Sequence, residues 1–154
     1  MPDQGSASGL TPLDAFPLRW RWTDPRHRLL NAADLQRIRP LTAAHARAVE
    51  TAWRARWPTA HLFPTRQDAN TLPAADLDED TVRTWLRARL PPAAPIHVSW
   101  TQGWAVLTDT DLFTTHWPSF CYPSSDDAVI APPDLAWALT FHHEEAFHLL
   151  PPTP

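Results

Sequence analysis

The chain has 154 residues, with 18 Pro, 9 Trp, 3 Gly, a single Cys, and Arg but no Lys. Its net charge of −4, from 13 basic against 17 acidic residues, excludes the dense cationic surface that displaces counterions from nucleic acid. One Cys excludes an internal disulfide framework, no apolar stretch reaches the roughly 20 residues of a bilayer span, and the first residues lack the basic and apolar regions of a signal peptide.

These features lead us to expect a cytoplasmic protein of a prokaryote, with neither nucleic acid nor membrane as partner. The length suits one domain. Residues 1–11 are small and polar and read as a disordered tail, leaving residues 12–150 as a single domain. Trp supplies the core: each ring system buries about 150–250 Å².

In chain order, Leu18, Trp20 and Trp22 alternate with Arg19 and Arg21, which predicts a half-buried strand. Asp24-Pro25 marks a turn. A short helix over residues 31–38 takes Asn31 as N-cap. A second helix starts near Thr42 and stacks Val49, Ala52, Trp53 and Trp57 on one face, with His45 a turn earlier; Pro58 ends it. Residues 58–75 read as loop, with room for a short element near His61, Leu62 and Phe63. A third helix has Asp76 and Glu79 at capping-box spacing, acidic residues at its start, Arg83, Arg87 and Arg89 toward its end, and an apolar stripe of Val82, Trp85, Leu86 and Leu90.

Strand texture follows. Ile96, Val98 and Trp100 alternate with polar residues, Gln102-Gly103 turns the chain, and Trp104, Val106 and Thr108 alternate again, a hairpin. Asp109 or Thr110 caps a short helix carrying Leu112, Phe113, His116 and Trp117, and residues 128–131 form an apolar strand. Residues 137–149 satisfy two periods: alternation about a turn at residues 143–145, or a helix started by Pro132-Pro133-Asp134. The weight of Trp, Thr and Phe favours the hairpin.

Two polar clusters carry whatever chemistry the sequence offers. The first holds His142, His143, Glu144, Glu145 and His148. A zincin helix needs His at i and i+4. Here His148 follows His143 at i+5, about 140° away on a helix, and the motif fails. A Glu145…His148 pair has di-iron spacing but lacks a second such pair. The second cluster runs from His116 through Cys121 to Asp126 and Asp127. Cys121, between Phe120 and Tyr122, reads as a small buried residue rather than a nucleophile. Taken together, Asp126, Asp127, His142, His143, Glu144, Glu145 and His116 form a candidate polar binding patch, in which His142 and Glu145 face each other across a hairpin tip. The expectation is no catalytic residue, no resident metal and no cofactor.

The elements W…FCYPSSDD and W.L.(F/Y)HHEE within residues 104–149 resemble small uncharacterised bacterial proteins of this size and, more loosely, small α+β immunity proteins encoded beside bacterial toxins. The resemblance implies a cytoplasmic bacterial domain ending in a β-hairpin and supplies no catalytic residues.

The fold expected is α+β: helices mainly in the N-terminal half, their stripes covering one face of an antiparallel sheet of about four or five strands mainly in the C-terminal half. The function expected is a non-enzymatic interaction protein with a basic protein partner. The alternative is a small metal-dependent hydrolase built from His142, His143 and Glu145 with Asp126, Asp127 or His116.

Overall fold

A computed structural model describes residues 9–64 and 68–150. In chain order the elements are a 3₁₀ turn (Leu13–Ala15), α1 (Trp20–Thr23), α2 (Ala32–Leu35), β1 (Arg39–Pro40), α3 (Ala43–Arg56), β2 (Thr71–Pro73), α4 (Glu79–Arg89), β3 (Pro95–Trp100), β4 (Trp104–Asp109), α5 (Thr110–Thr115), α6 (Trp117–Phe120), β5 (Ala128–Ala131), β6 (Ala138–His142) and β7 (Ala146–Leu150). The strands form one antiparallel sheet in the order β1-β4-β3-β5-β6-β7-β2.

The class is mixed helix and sheet, as expected, but the sheet has seven strands rather than four or five. The additional two, β1 and β2, lie at opposite edges and span two and three residues. Each contains a Pro, which an edge strand tolerates because one side of it needs no ladder donor. Strands this short have no alternation to read. Of the predicted tail, residues 1–8 lie outside the described residues, while residues 9–11 run beside residues 40–42, with Leu10 bridged to Leu41.

Side-chain alternation gives the sheet two buried faces. On one, Ile96, Val98, Trp100, Val106, Ile130, Leu139, Phe141 and Phe147 pack with Trp22 of α1, Val82 and Leu86 of α4, Phe113 of α5 and Phe120 of α6. On the other, Trp53 and Trp57 lie on Val129, Ala131 and Ala138, and Ala46 lies on Ala105. α3 and α4 therefore cover opposite faces, which corrects the expectation that both helices share one. The α3 face is paved with small residues, so the indole of Trp53 reaches the backbone layer and donates to Ser99 Oγ at 3.2 Å.

The predicted strand at residues 18–22 is instead helical in its second half. Leu18, Arg21 and Trp22 are buried and Arg19 and Trp20 are exposed, which is a helical period and not alternation.

Caps fall close to expectation. The Asn31, Thr42 and Asp109 side chains accept the backbone N–H groups of Asp34, His45 and Leu112. α4 is capped by Asp78, which accepts Thr81 N–H at 2.7 Å, two residues after the predicted Asp76. The 137–149 ambiguity resolves as a hairpin: β6 and β7 pair from Ala138↔Leu150 to His142↔Ala146.

Candidate functional site

The register of β5 on β6 assembles the site. Ala128 pairs with Phe141, so Asp127, just before β5, and His142, the last residue of β6, come face to face. The β6–β7 turn then brings His143 back over the same point. It is a three-residue turn, closed by Glu145 N–H donating to His142 C=O at 2.8 Å, with Glu145 in the left-handed region at φ 62°. Ser124 N–H donates to His143 C=O at 2.8 Å and Thr101 N–H to Asp127 C=O at 3.1 Å. Three turns are thus laced together at one end of the sheet.

Asp127 Oδ1 is the hub. It accepts the His143 backbone N–H at 3.0 Å and lies 2.9 Å from His143 Nδ1. His142 Nε2 stands 3.9 Å from the same oxygen. His142 Nδ1 accepts the Glu144 backbone N–H at 3.1 Å, which leaves the neutral ring's proton on Nε2. The two imidazoles lie against each other with centroids 4.1 Å apart. Exposure rises outward: 13% for the His142 side chain, 27% for Asp127 and 44% for His143.

The apolar flank comes from the loop after α3. The Phe63 ring meets His142 edge-on at 5.2 Å. Next to it a cleft of about 390 Å³ is lined by Trp57, Leu62, Phe63, His148 and Leu150 among others. Leu62 is 54% exposed and Phe63 42%.

Of the seven patch residues expected, the structure brings Asp127, His142 and His143 together, with Glu144 joined through its backbone. Asp126, His116 and Glu145 are elsewhere in role. Asp126 turns inward and holds Arg21 in a bidentate pair at 2.6 and 2.8 Å, both side chains almost fully buried. His116, at the α5–α6 junction, pairs with Asp34 of α2 at 3.2 Å. Glu145 meets His142 through its backbone N–H; the carboxylate beside the His142 ring belongs to Asp127. Glu145 is itself the αL residue that closes the three-residue turn, so it belongs to the turn and does not face His142 across it.

Arg21 is the residue that sequence reading misplaced most. Read as the solvent face of a strand, it instead lies under the rings of Trp20, Trp100 and Tyr122, with its guanidinium carbon 4.7–5.2 Å from their centroids. Cys121 is buried as expected, and burial, followed by the Asp126 charge, pushes its thiol well above the ordinary value. Burial of this kind disfavours the thiolate form. The Trp residues leave no exposed group: Trp20 alone of the nine is exposed.

Among the described residues no helix is long and apolar enough to cross a membrane. No family model, curated protein or solved structure matches the chain.

Proposed function

We propose that the protein is a non-enzymatic, cytoplasmic bacterial binding protein of the immunity-like kind, and that it engages a basic protein partner with the end of the sheet where the hairpin tip meets the loop after α3. One observation supports this above others: two large apolar side chains, Leu62 and Phe63, stand exposed beside a carboxylate-bearing tip. Apolar anchors ringed by polar groups are the composition of an interface centre and its rim. Glu144 and Glu145 have no ion-pair partner among the described residues, so their charge is left for a cationic surface to meet.

Three other groups of the candidate clusters are sealed or engaged. Cys121 and the Arg21–Asp126 pair are buried, and His116 is engaged with Asp34. The hydrolase alternative loses Glu145, Asp126 and His116 from its set of groups. The remaining trio, without Glu145 as a base, suits binding better than bond cleavage.

The test is a paired capture from the source organism with the wild-type chain and a Phe63→Asp, Glu144→Arg variant of equal thermal stability. A partner that is basic, retained by the wild type and lost by the variant is the expected result. A partner set shared equally by both proteins overturns the assigned surface.

A further inference from the structure

Among the described residues, Asp127, His142 and His143 form the one group of three metal-ligating side chains whose ligand atoms lie within 4.8 Å of one another. We propose that this group is a binding site for a divalent transition metal ion, with Zn²⁺ as its representative. The inference does not rest on the partner surface, because metal binding is a property of the isolated chain.

The donor set comes first. Two imidazole nitrogens and one carboxylate oxygen suit borderline ions such as Zn²⁺, whereas Mg²⁺ and Ca²⁺ need shells of oxygen. The spacing comes second. Tetrahedral bonds of about 2.0–2.1 Å put neighbouring ligand atoms about 3.3–3.4 Å apart. The distances to Asp127 Oδ1, 2.9 Å from His143 Nδ1 and 3.9 Å from His142 Nε2, straddle that value. Sub-ångström shifts of side chains would equalise them.

Preorganisation comes third. The ligands sit on two elements whose relative position is fixed by the β5–β6 ladder and by the Ser124-to-His143 backbone bond. Asp127 is oriented by the His143 backbone N–H, an outer interaction of the sort that holds a ligating carboxylate in place. Because His143 is substantially exposed, a fourth coordination position opens to solvent, where water or a donor from another molecule completes the shell.

Coordination has one structural consequence. For His142 Nε2 to present its lone pair, the ring proton must move to Nδ1, and Nδ1 then no longer accepts the Glu144 N–H; His143 Nδ1 likewise gives up the proton it shares with Asp127 Oδ1, the His143 ring carrying it on Nε2 instead. Metal binding therefore exchanges that turn hydrogen bond for a coordinate bond and displaces the Glu144 amide.

The experiment uses the full chain without an affinity tag, stripped with a chelator and titrated with Zn²⁺ and, separately, Mg²⁺ at pH 7.5. Folding of each variant is checked by far-UV circular dichroism, and the Glu144 amide is followed by NMR. The expected result is one equivalent of Zn²⁺ with Kd below about 10 µM and no comparable Mg²⁺ binding. Asp127→Asn and His143→Ala should weaken binding about tenfold or more. His27→Ala, at an exposed His outside the group, should leave affinity unchanged, and the Glu144 resonance should move in the wild type. Asp127→Asn keeps the oxygen that accepts the His143 N–H, so it remains informative if His143→Ala fails to fold. Weaker Zn²⁺ binding by the wild type, equal loss in His27→Ala, no loss in folded Asp127→Asn, or a stationary Glu144 amide overturns the site.

Discussion

Asp126 and Asp127 sit side by side at the entry to β5, yet one is sealed against Arg21 in the core and the other faces the imidazoles at the open end of the sheet. The chain there is entering an extended strand, where successive side chains leave on opposite sides. Asp126 is 1% exposed and meets a guanidinium with two hydrogen bonds, and a third comes from the Tyr122 backbone N–H at 2.8 Å. Asp127 is partly exposed and lies near ring nitrogens of His142 and His143. Two identical, adjacent carboxylates therefore do different work: one holds the 121–127 turn to α1, the other equips a surface.

The largest effect that separates them is stability. Asp126→Ala strands the Arg21 charge in the interior, and breaking a buried pair from one side costs about 3–5 kcal/mol. Asp127→Ala removes a partly exposed pair, worth about 1 kcal/mol or less. Urea unfolding of the two variants measures both. The joint replacement Arg21→Met, Asp126→Leu should recover most of the loss, since it leaves no orphan charge. Similar losses for the two single Ala variants would erase the distinction.

The neighbouring thiol sharpens it. Cys121 opens the same turn and is buried, so a thiol reagent reaches it only when the structure opens. With opening and closing fast relative to modification, the labelling rate follows the open population. Asp126→Ala should then speed labelling about a hundredfold or more, the rate equivalent of its lost stability, and Asp127→Ala should change it little. Equal rates for the two variants would show that the Arg21–Asp126 pair does not hold the turn.

Much of this architecture was legible in the sequence, and the exceptions have physical causes. The 96–108 hairpin and the hairpin of 138–150 were readable because alternation persists over at least four residues and the turn chemistry agrees, and the strand at residues 128–131 because it is a short continuous apolar run between turn residues. β1 and β2 were not, since two or three residues carry no period and their pairing is decided by the partner strand. Arg21 failed because a period-two reading of residues 18–22 counts Arg as solvent-facing, whereas a carboxylate 105 residues away makes its burial possible. The candidate site was half legible. Its residue types drew attention to Asp127, His142 and His143, but only the β5–β6 register reveals that these three meet and that Asp126 and Glu145 do not join them.

Acid should act on the α3 face of the sheet. His97 and His148 lie in strand positions on the α3 side, and burial lowers the pKa of each below the ordinary value; the His45 charge adds to the effect at His97, and Asp68 partly opposes it at His148. A lowered His pKa means that the unfolded chain takes a proton before the native one does. The stability contribution is complete above the unfolded value of about 6.5 and declines as pH falls from there toward the lowered native values. Unfolding midpoints between pH 7.5 and 5 should drop with acid, and His97→Gln with His148→Gln should flatten that slope. An unchanged slope in the double variant would place the acid sensitivity elsewhere.

The smallest effect lies at the tip itself. Glu145 closes the β6–β7 turn at φ 62°, a conformation in which a side chain clashes with its own backbone and glycine does not. Its backbone is committed on both sides, with N–H donating to His142 and C=O accepting from Ala74 N–H at 2.8 Å, so the residue cannot relax out of that conformation. Glu145→Gly should therefore stabilise the protein by about 0.5–1 kcal/mol, while Glu145→Ala, which keeps the strain, should change stability by less than half of that. The same variant separates Glu145 from its neighbours in the site. Since its carboxylate is outside the Asp127–His142–His143 group, Zn²⁺ affinity in Glu145→Gly should equal that of the wild type. A loss of affinity together with a gain in stability would make Glu145 a fourth ligand; a loss of stability would mean that its side chain holds a contact worth more than the strain it imposes.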